Sequence, residues 1–223
     1  MTTPVKIKWS FSGLKDFINC PRQYHEVKVL GNFAKKATQH MAYGTDVHQA
    51  LEDYVKQGIT LPKNYQQFKA MVDPLVEMPG EKYPEYKMAL TGDKIPCTFD
   101  GPDYWVRGIV DLLVIDGDTA YIVDYKTGSN RYPDPKQLKL MALMTFAHFP
   151  EVEFIKAGLL FVVHNSFLSE EYSRDEADKL WGAFTPDLMR LEQALSTGHW
   201  GAKHGPLCGW CPVQSCDFYK PRR

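Results

Sequence analysis

The chain has 223 residues, of which 44% are apolar and 13% aromatic, enough to bury one sizeable core. Its formal net charge of −1 excludes a broad electrostatic affinity for nucleic acid, so any phosphate binding must be local or rely on metal ions. No run of 18 apolar residues and no apolar leader occurs, so we expect a cytoplasmic protein with reduced cysteines and no membrane segment.

The first half of the chain is predicted to contain mainly helices. Ser10 is a favourable N-cap for a short first helix. A second helix is predicted from Ala42 to Gln57, and a weaker third helix from Tyr65 to Glu77 is interrupted at Pro74. The proline- and glycine-rich stretch 79–102 indicates loops and short strands.

Strands are predicted in the second half. Two stretches rich in Val, Ile, Leu and Tyr, Tyr104–Ile115 and Thr119–Lys126, flank a turn signal and indicate a hairpin. A helix from Pro135 to Phe149 follows, then a strand from Glu153 to His164. A long helix is then predicted from Ser173 or Arg174 to Thr197. The expected fold class is α/β, with a small mixed central sheet flanked by helices.

Two acidic residues and a lysine are predicted to share one face of the hairpin. Side chains alternate along a strand, so Asp124 and Lys126 point the same way. A two-residue loop at Asp116-Gly117 or at Gly117-Asp118 places Asp111 on that face, opposite position 122 or 124. Both strands are apolar on both faces, which indicates a buried central hairpin.

Two buried carboxylates so close together are unfavourable, because they repel each other and lose their hydration. A divalent cation removes both penalties, and carboxylate oxygens are the ligands that Mg²⁺ and Mn²⁺ prefer. Such a cation lowers the pKa of a bound water and polarises a phosphoryl oxygen, and Lys126 can orient the water or stabilise charge. The alternative is a buried ion pair between Asp124 and Lys126 without a catalytic role.

Several motifs occur in a fixed order along the chain. They are Gly44-Thr-Asp-Val-His48, Gly108-Ile-Val-Asp111, Val123-Asp124-Tyr-Lys126 and Gln137 at the start of a helix. Together they resemble the PD-(D/E)xK nucleases, specifically the RecB-like branch that includes CRISPR-associated exonucleases. The chain departs from that branch at Met141, where a tyrosine usually follows the glutamine.

The resemblance implies a restriction-endonuclease-like core and a set of site residues. The metal ligands would be His48, Asp111, Asp124 and the backbone carbonyl of Tyr125. The catalytic residues would be Asp111, Asp124, Lys126 and Gln137. The implied single nuclease domain spans 1–223, with a core at about 40–197 and metal-cluster segments at about 10–25 and 199–223.

Three side chains near this set have competing interpretations. Without the resemblance, His48 would be interpreted as a solvated helix residue. Glu52 lies one helical turn after His48 and is a supporting candidate. Glu85, in a possible strand before the hairpin, is another acidic candidate, for which a surface position is the favoured interpretation.

The carboxyl-terminal cysteines suggest a second metal centre. Cys208, Cys211 and Cys216 form a Cys-x2-Cys-x4-Cys pattern, which favours metal ligation in a reducing compartment. Cys20, before a proline, resembles the remote ligand of the RecB-like nucleases that carry a 4Fe–4S cluster, so the resemblance implies such a cluster on these four residues. Zn²⁺ is the alternative, and a disulfide framework fits the compartment least. Cys97 is interpreted as an ordinary small apolar residue.

Two functions of different classes stay open at this point. The first is a Mg²⁺- or Mn²⁺-dependent DNA exonuclease acting on free ends in recombination, repair or CRISPR-type processing, with recombination or CRISPR-adaptation proteins as partners. Lys136 and Lys139, at the start of a helix, are candidate phosphate contacts. The second is a catalytically silent module that binds DNA ends, against which the retained acids and Lys126 argue.

Overall fold

A five-stranded mixed sheet is the main feature of the computed structural model, which describes residues 7–35 and 37–220. Strands pair in sequence order, and the third and fourth are parallel while all other neighbours are antiparallel. The arrangement confirms the predicted α/β class. The strands are β1 Glu81–Leu90, β2 Val106–Asp116, β3 Thr119–Lys126, β4 Phe154–Phe161 and β5 Ser166–Ser173.

The chain divides into two compact units. The central unit, 38–181, contains the sheet, and the terminal unit comprises 1–37 and 182–223 where they are described. No helix among the described residues is long and apolar enough to cross a membrane. The α-helices are α1 Phe11–Asn19, α2 Pro21–Tyr24, α3 Gln39–Gln57, α4 Lys69–Glu77, α5 Lys136–His148, α6 Ala177–Gly182 and α7 Thr185–Thr197.

The β2–β3 hairpin has the second of the two predicted registers. Its loop is Gly117-Asp118, and Gly117 has a φ of +61°, a conformation that glycine adopts without steric penalty. Continued by one residue beyond its last pair, this register sets Asp111 opposite Asp124. The hairpin therefore brings the two carboxylates together, as its sequence predicts.

One face of the sheet is covered by α3 and the segment that ends in α4. Val47 and Leu51 of α3 and Val72 of α4 are fully buried against Val123 and Tyr125 of β3. Each such side chain stabilises the fold by about 1.5–3 kcal/mol. This packing fixes α3, and hence its polar side chains, relative to the end of β3.

Helix α5 connects the parallel strands β3 and β4. It is apolar around almost its whole circumference, as expected for a helix surrounded by other elements. It contacts β1, β3 and β4, so its first turn is held at the end of β3. Its buried residues are Leu138, Leu140, Met141, Ala142, Leu143, Met144, Thr145 and Phe146.

Two secondary-structure predictions are wrong. The stretch 79–102, predicted as loops and short strands, contains one long strand of ten residues, β1. Pro84 is tolerated within it because β1 is an edge strand whose outer side needs no partner. The single long helix from Ser173 to Thr197 is two helices, α6 and α7, separated where Pro186 enters the first turn of α7. The strand β5 before them was not predicted.

The predicted interruption at Pro74 is also wrong. Helix α4 continues through this residue, although proline removes one backbone hydrogen bond. Val72 is fully buried, and Leu75 packs against the same apolar cluster. These contacts hold the helix across the missing hydrogen bond.

The terminal unit is built on α1 and α7, which contact each other. Ser10 caps α1 as predicted, accepting a 3.2 Å hydrogen bond from the backbone N–H of Gly13. The tail after α7 contains only one short 3₁₀ turn, Pro206–Trp210, in its described part. Trp200 anchors the start of this tail by stacking on His25, with ring centroids 4.5 Å apart.

Candidate functional site

Asp124, Lys126 and Gln137 form a closed hydrogen-bonded group at the end of β3. Gln137 Nε2 donates to Asp124 Oδ1 at 2.7 Å, and Gln137 Oε1 accepts from Lys126 Nζ at 2.9 Å. Lys126 Nζ also forms an ion pair with Asp124 Oδ2. Because one amide contacts both charged groups, Gln137 fixes the carboxylate and the ammonium relative to each other.

Asp111 occupies the point where β2 separates from β3. Its Oδ2 accepts a 2.6 Å hydrogen bond from the backbone N–H of Tyr125, beyond the last backbone pair of the ladder. The carboxylate thus provides a hydrogen-bond acceptor for an N–H group that has no backbone partner where the strands diverge. The same oxygen lies 3.4 Å from Nδ1 of His48.

His48, Glu85 and Asp111 form a second group next to the first. One ligand atom from each can be chosen so that all three lie within 4.8 Å of one another. The β1–β2 pairs on either side set Glu85 opposite Asp111. Glu85 has a φ of +50°, which is unusual for glutamate. The interpretation of Glu85 as a surface residue is therefore wrong, since it is half-buried in this group.

The sequence places Glu85 in a possible strand but does not predict the length of β1 or its pairing with β2, so the position of Glu85 beside Asp111 was not predicted. Pro84 directly precedes it and argues against a strand. The usable signal was the residue type of Tyr83 and Tyr86 on either side of it, since tyrosine is enriched in strands.

The electrostatics of both groups reflect crowded negative charge. Burial and the Asp111 carboxylate raise the pKa of Asp124 to about 6, against the opposing effect of Lys126. Burial and Asp111 likewise raise the pKa of Glu85. Burial lowers the pKa of His48, but its hydrogen bond to Asp111 and the nearby carboxylates outweigh this and raise it overall. The site therefore favours added positive charge.

The approach of α3 to β3 depends on Gly44. A Cβ atom at this position would lie 3.1 Å from Oγ1 of Thr127, just past the end of β3. The absent side chain lets the helix come close, and His48 follows one turn later on the same face. An open cleft along this helix is lined by His48, Glu52 and Glu85.

Several other residues that the sequence singles out make no contact in the described part of the chain that assigns them a role in the site. Met141 is 4% exposed and packs in the core, so its side chain does not replace a substrate-facing tyrosine. Lys136 and Lys139 lie partly exposed in the first turn of α5. Their contact with phosphate, and ligation by the carbonyl of Tyr125, stay predictions.

The four predicted cysteines meet in the terminal unit. Cys20, Cys208, Cys211 and Cys216 line one cavity of about 320 Å³, and all four are free thiols. Burial and the three neighbouring cysteines raise the pKa of Cys211. The sequence positions thus converge although Cys20 is 188 residues from Cys208.

Backbone amides of the tail donate to two of these sulfurs. The N–H of Lys203 lies 3.5 Å from Cys20 Sγ, and the N–H of Gly205 lies 3.4 Å from Cys208 Sγ. Such amides stabilise a thiolate more than a thiol. The fifth cysteine, Cys97, lies outside this group in the central unit.

Comparison with known proteins gives a family and a fold. The sequence pattern of the PD-(D/E)XK nuclease superfamily matches residues 8–94 and 78–216. No curated protein matches the sequence. A solved structure from Eubacterium rectale, provisionally named an exonuclease, is 14% identical, with a TM-score of 0.51 over 95% of this chain and 86% of that one. The crystal structure of SSO0001 is 14% identical, with a TM-score of 0.49 over 99% of this chain and 90% of that one. Since the family pattern covers most of the sequence, the chain belongs to the PD-(D/E)XK nuclease superfamily.

Proposed function

We propose that this nuclease is a Mg²⁺- or Mn²⁺-dependent deoxyribonuclease, and specifically an exonuclease. The observation that carries the proposal is the adjacency of two groups. His48, Glu85 and Asp111 offer three ligand atoms within 4.8 Å, and Asp111 lies across the hairpin from Asp124. This arrangement sets several carboxylates beside Lys126, whose side chain is partly exposed while that of its partner Asp124 is buried.

The residues of the site fit a hard divalent cation. Carboxylate oxygens and imidazole nitrogen are suitable ligands, and three are already within one coordination sphere of each other. The buried Oδ2 of Asp124 contacts Lys126 but accepts no well-directed hydrogen bond from the described residues. We propose His48, Glu85, Asp111 and Asp124 as the ligands. A cation held there would polarise the scissile phosphate and lower the pKa of a bound water.

The protein's own groups would orient the reaction. Lys126, held by Gln137, places a positive charge beside Asp124, where negative charge grows on the phosphate as water attacks. Gln137 keeps the Asp124 carboxylate in one rotamer through a direct hydrogen bond. Asp111 favours the protonated form of the His48 imidazole, whereas only the neutral imidazole can bind a cation. Binding of a cation would therefore displace that proton from His48.

Exonuclease action on free DNA ends, in recombination, repair or CRISPR-type processing, is the finer part of the proposal. It is supported by the motif resemblance to RecB-like nucleases and by the provisional name of the Eubacterium rectale structure. Recombination or CRISPR-adaptation proteins are the proposed partners on the same basis.

The deciding experiment is Mn²⁺-dependent degradation of linear and circular DNA by the wild type and by Lys126→Ala. Loss of linear DNA only, abolished by the substitution, is expected. Lys179→Ala, which removes an exposed lysine in α6, is the matched control. Cutting of circles would replace the exonuclease proposal with an endonuclease of the same site. Binding without cleavage by the wild type would support the silent DNA-end-binding module instead.

For the four cysteines we propose a 4Fe–4S cluster. Four thiolates bound to one zinc at about 2.3 Å lie about 3.8 Å from one another. Here no three of the four sulfurs lie within 4.8 Å of one another, although all line one cavity. The wider spacing suits a larger cluster with each thiolate on a different iron. Its role would be structural, because it would join Cys20 to a tail with little core of its own.

The cluster proposal is tested on protein purified without oxygen. Visible absorbance together with iron and acid-labile sulfide is expected, and loss of all three in Cys211→Ser. Cys97→Ser should retain them. Stoichiometric zinc without iron would establish the alternative.

A further inference from the structure

The loop that joins β3 to α5, residues 127–135, carries an unusually exposed aromatic side chain. Tyr132 is 93% exposed, whereas the next most exposed large apolar residue among those described is Leu207 at 63%. Its ring contacts no other ring in the described part of the chain. Leaving a tyrosine ring in water forfeits the stabilisation that burial of an aromatic side chain provides. The face of this ring is therefore accessible to a binding partner.

The ends of this loop are held by the proposed active site. Lys126 precedes it and Gln137 follows it, and the two side chains are hydrogen-bonded to each other. Tyr132 is five residues before Gln137, so their Cα atoms lie within about 18 Å of each other. That distance corresponds to at most about five stacked nucleotides of one strand. Tyr132 thus lies within reach of the strand that enters the site.

The loop presents Tyr132 in a restricted conformation. Pro133 disfavours helical backbone at Tyr132, which narrows the conformations that the loop can adopt there. Asn130 Nδ2 donates to Ser166 Oγ at 3.0 Å and ties the loop to the start of β5. A ring held this way loses little conformational entropy when a partner stacks on it.

The charge beside the ring suits a polyanion. Arg131 is exposed, and its side chain forms no ion pair with any residue that the structure describes. An arginine next to an exposed aromatic ring is the combination that binds single-stranded nucleic acid, with the guanidinium on phosphate and the ring on a base.

We propose that Tyr132 stacks on an unpaired base of the substrate strand, so that the enzyme acts on single-stranded or frayed DNA ends in preference to flush duplex. This inference rests on the proposed nuclease function and narrows its substrate class. Stacked bases inside an intact duplex have no free face for the ring, whereas an unpaired base offers one whatever its sequence. Arg131 holds the adjacent phosphate.

The test compares the wild type with Tyr132→Ala and Tyr132→Phe on single-stranded and blunt duplex DNA. Loss of the ring should lower kcat/KM on single strands roughly 5- to 150-fold, with a much smaller change on blunt duplex. Tyr132→Phe keeps the ring and should rescue the loss. Phe154→Ala removes an exposed ring at the opposite end of the β3–β4 ladder and is the matched control. Because Tyr132 is on the surface, the melting temperature should not change.

A second measurement separates this inference from the nuclease proposal. The fluorescence of a single-stranded oligonucleotide containing 2-aminopurine is recorded with EDTA present, which prevents metal-dependent cleavage. Quenching by the wild type but not by Tyr132→Ala is expected. Equal quenching, or equal kcat/KM on single strands, overturns the role of Tyr132 while DNA cleavage stands. If no variant cleaves any DNA, the nuclease proposal fails and the quenching alone decides whether Tyr132 stacks.

Discussion

The side-chain amide of Gln137 donates a 2.7 Å hydrogen bond to Oδ1 of Asp124, a carboxylate that is only 3% exposed. The donor comes from the first turn of α5 and the acceptor from β3, so the contact joins two elements that the chain connects by a nine-residue loop. The amide oxygen accepts from Lys126 at the same time. A single neutral side chain therefore sets the distance between opposite charges.

Gln137→Ala should lower Mn²⁺ affinity or the cleavage rate roughly 10- to 100-fold, the usual effect of removing a group that orients a metal ligand. Initial rates of DNA cleavage measured over a range of Mn²⁺ concentrations would show it. Gln57→Ala, which removes an exposed glutamine at the end of α3, should change neither quantity. Wild-type rates for Gln137→Ala at limiting Mn²⁺ would show that Asp124 and Lys126 hold their positions unaided.

Glu85→Gln should weaken Mn²⁺ binding at least about tenfold, because it replaces one of the proposed carboxylate ligands by a poorer donor. Calorimetric titration of the protein with Mn²⁺ measures this without any substrate. Glu52→Gln is the matched comparison, since Glu52 lines the same cleft but is paired with Lys56 at 3.3 Å. Equal losses in the two variants would mean that Glu85 contributes only general negative charge.

The central hairpin could be predicted from sequence because independent local signals agree there. The two apolar stretches and the Asp-Gly turn signal indicate a hairpin, and both of its predicted registers place Asp111 on the face of Asp124 and Lys126; the structure has the second register. The four cysteines converge as the resemblance implied, since they line one cavity.

Glu85 and the β5 strand show where sequence reasoning stops. Pro84 before Glu85 obscures a strand whose tolerance of proline depends on its edge position, which is a tertiary property. β5 is mostly polar and half exposed, so it lacks the apolar alternation that marks a buried strand. In both cases the neighbouring strand determines the structure, and the local pattern does not reveal it.

Gly80→Ala should destabilise the protein by more than Gly117→Ala. Both glycines have positive φ, at +104° and +61°. At Gly117 an added Cβ meets open space, so the penalty is that of a left-handed backbone, about 1–2 kcal/mol. At Gly80 the added Cβ would also clash with the backbone carbonyl of Ile115 on β2, which cannot move without shifting the hairpin.

Urea unfolding of the two variants measures this difference directly. The clash at Gly80 acts at the first pair of the β1–β2 ladder, so loss of stability should be accompanied by weaker Mn²⁺ binding through displacement of Glu85. Gly117→Ala should leave Mn²⁺ affinity at its wild-type value. Equal free energies of unfolding for the two variants would contradict the steric argument.

His148 should make the stability of the central unit depend on pH. Burial lowers the pKa of His148, although its Nε2 lies 3.1 Å from the carbonyl oxygen of Ala89. Because the pKa in the folded state is below the unfolded value of about 6.5, the neutral imidazole is favoured by folding. Its stabilising contribution is fully present above about pH 6.5 and is lost as the pH falls through the folded-state value. His148→Gln keeps a hydrogen-bond donor for Ala89 but does not titrate.

Free energies of urea unfolding measured from pH 8 to pH 5 should therefore fall less steeply for His148→Gln than for the wild type. The control His164→Gln, at an exposed position, should retain the wild-type slope. An unchanged slope in His148→Gln would assign the acid sensitivity to other groups.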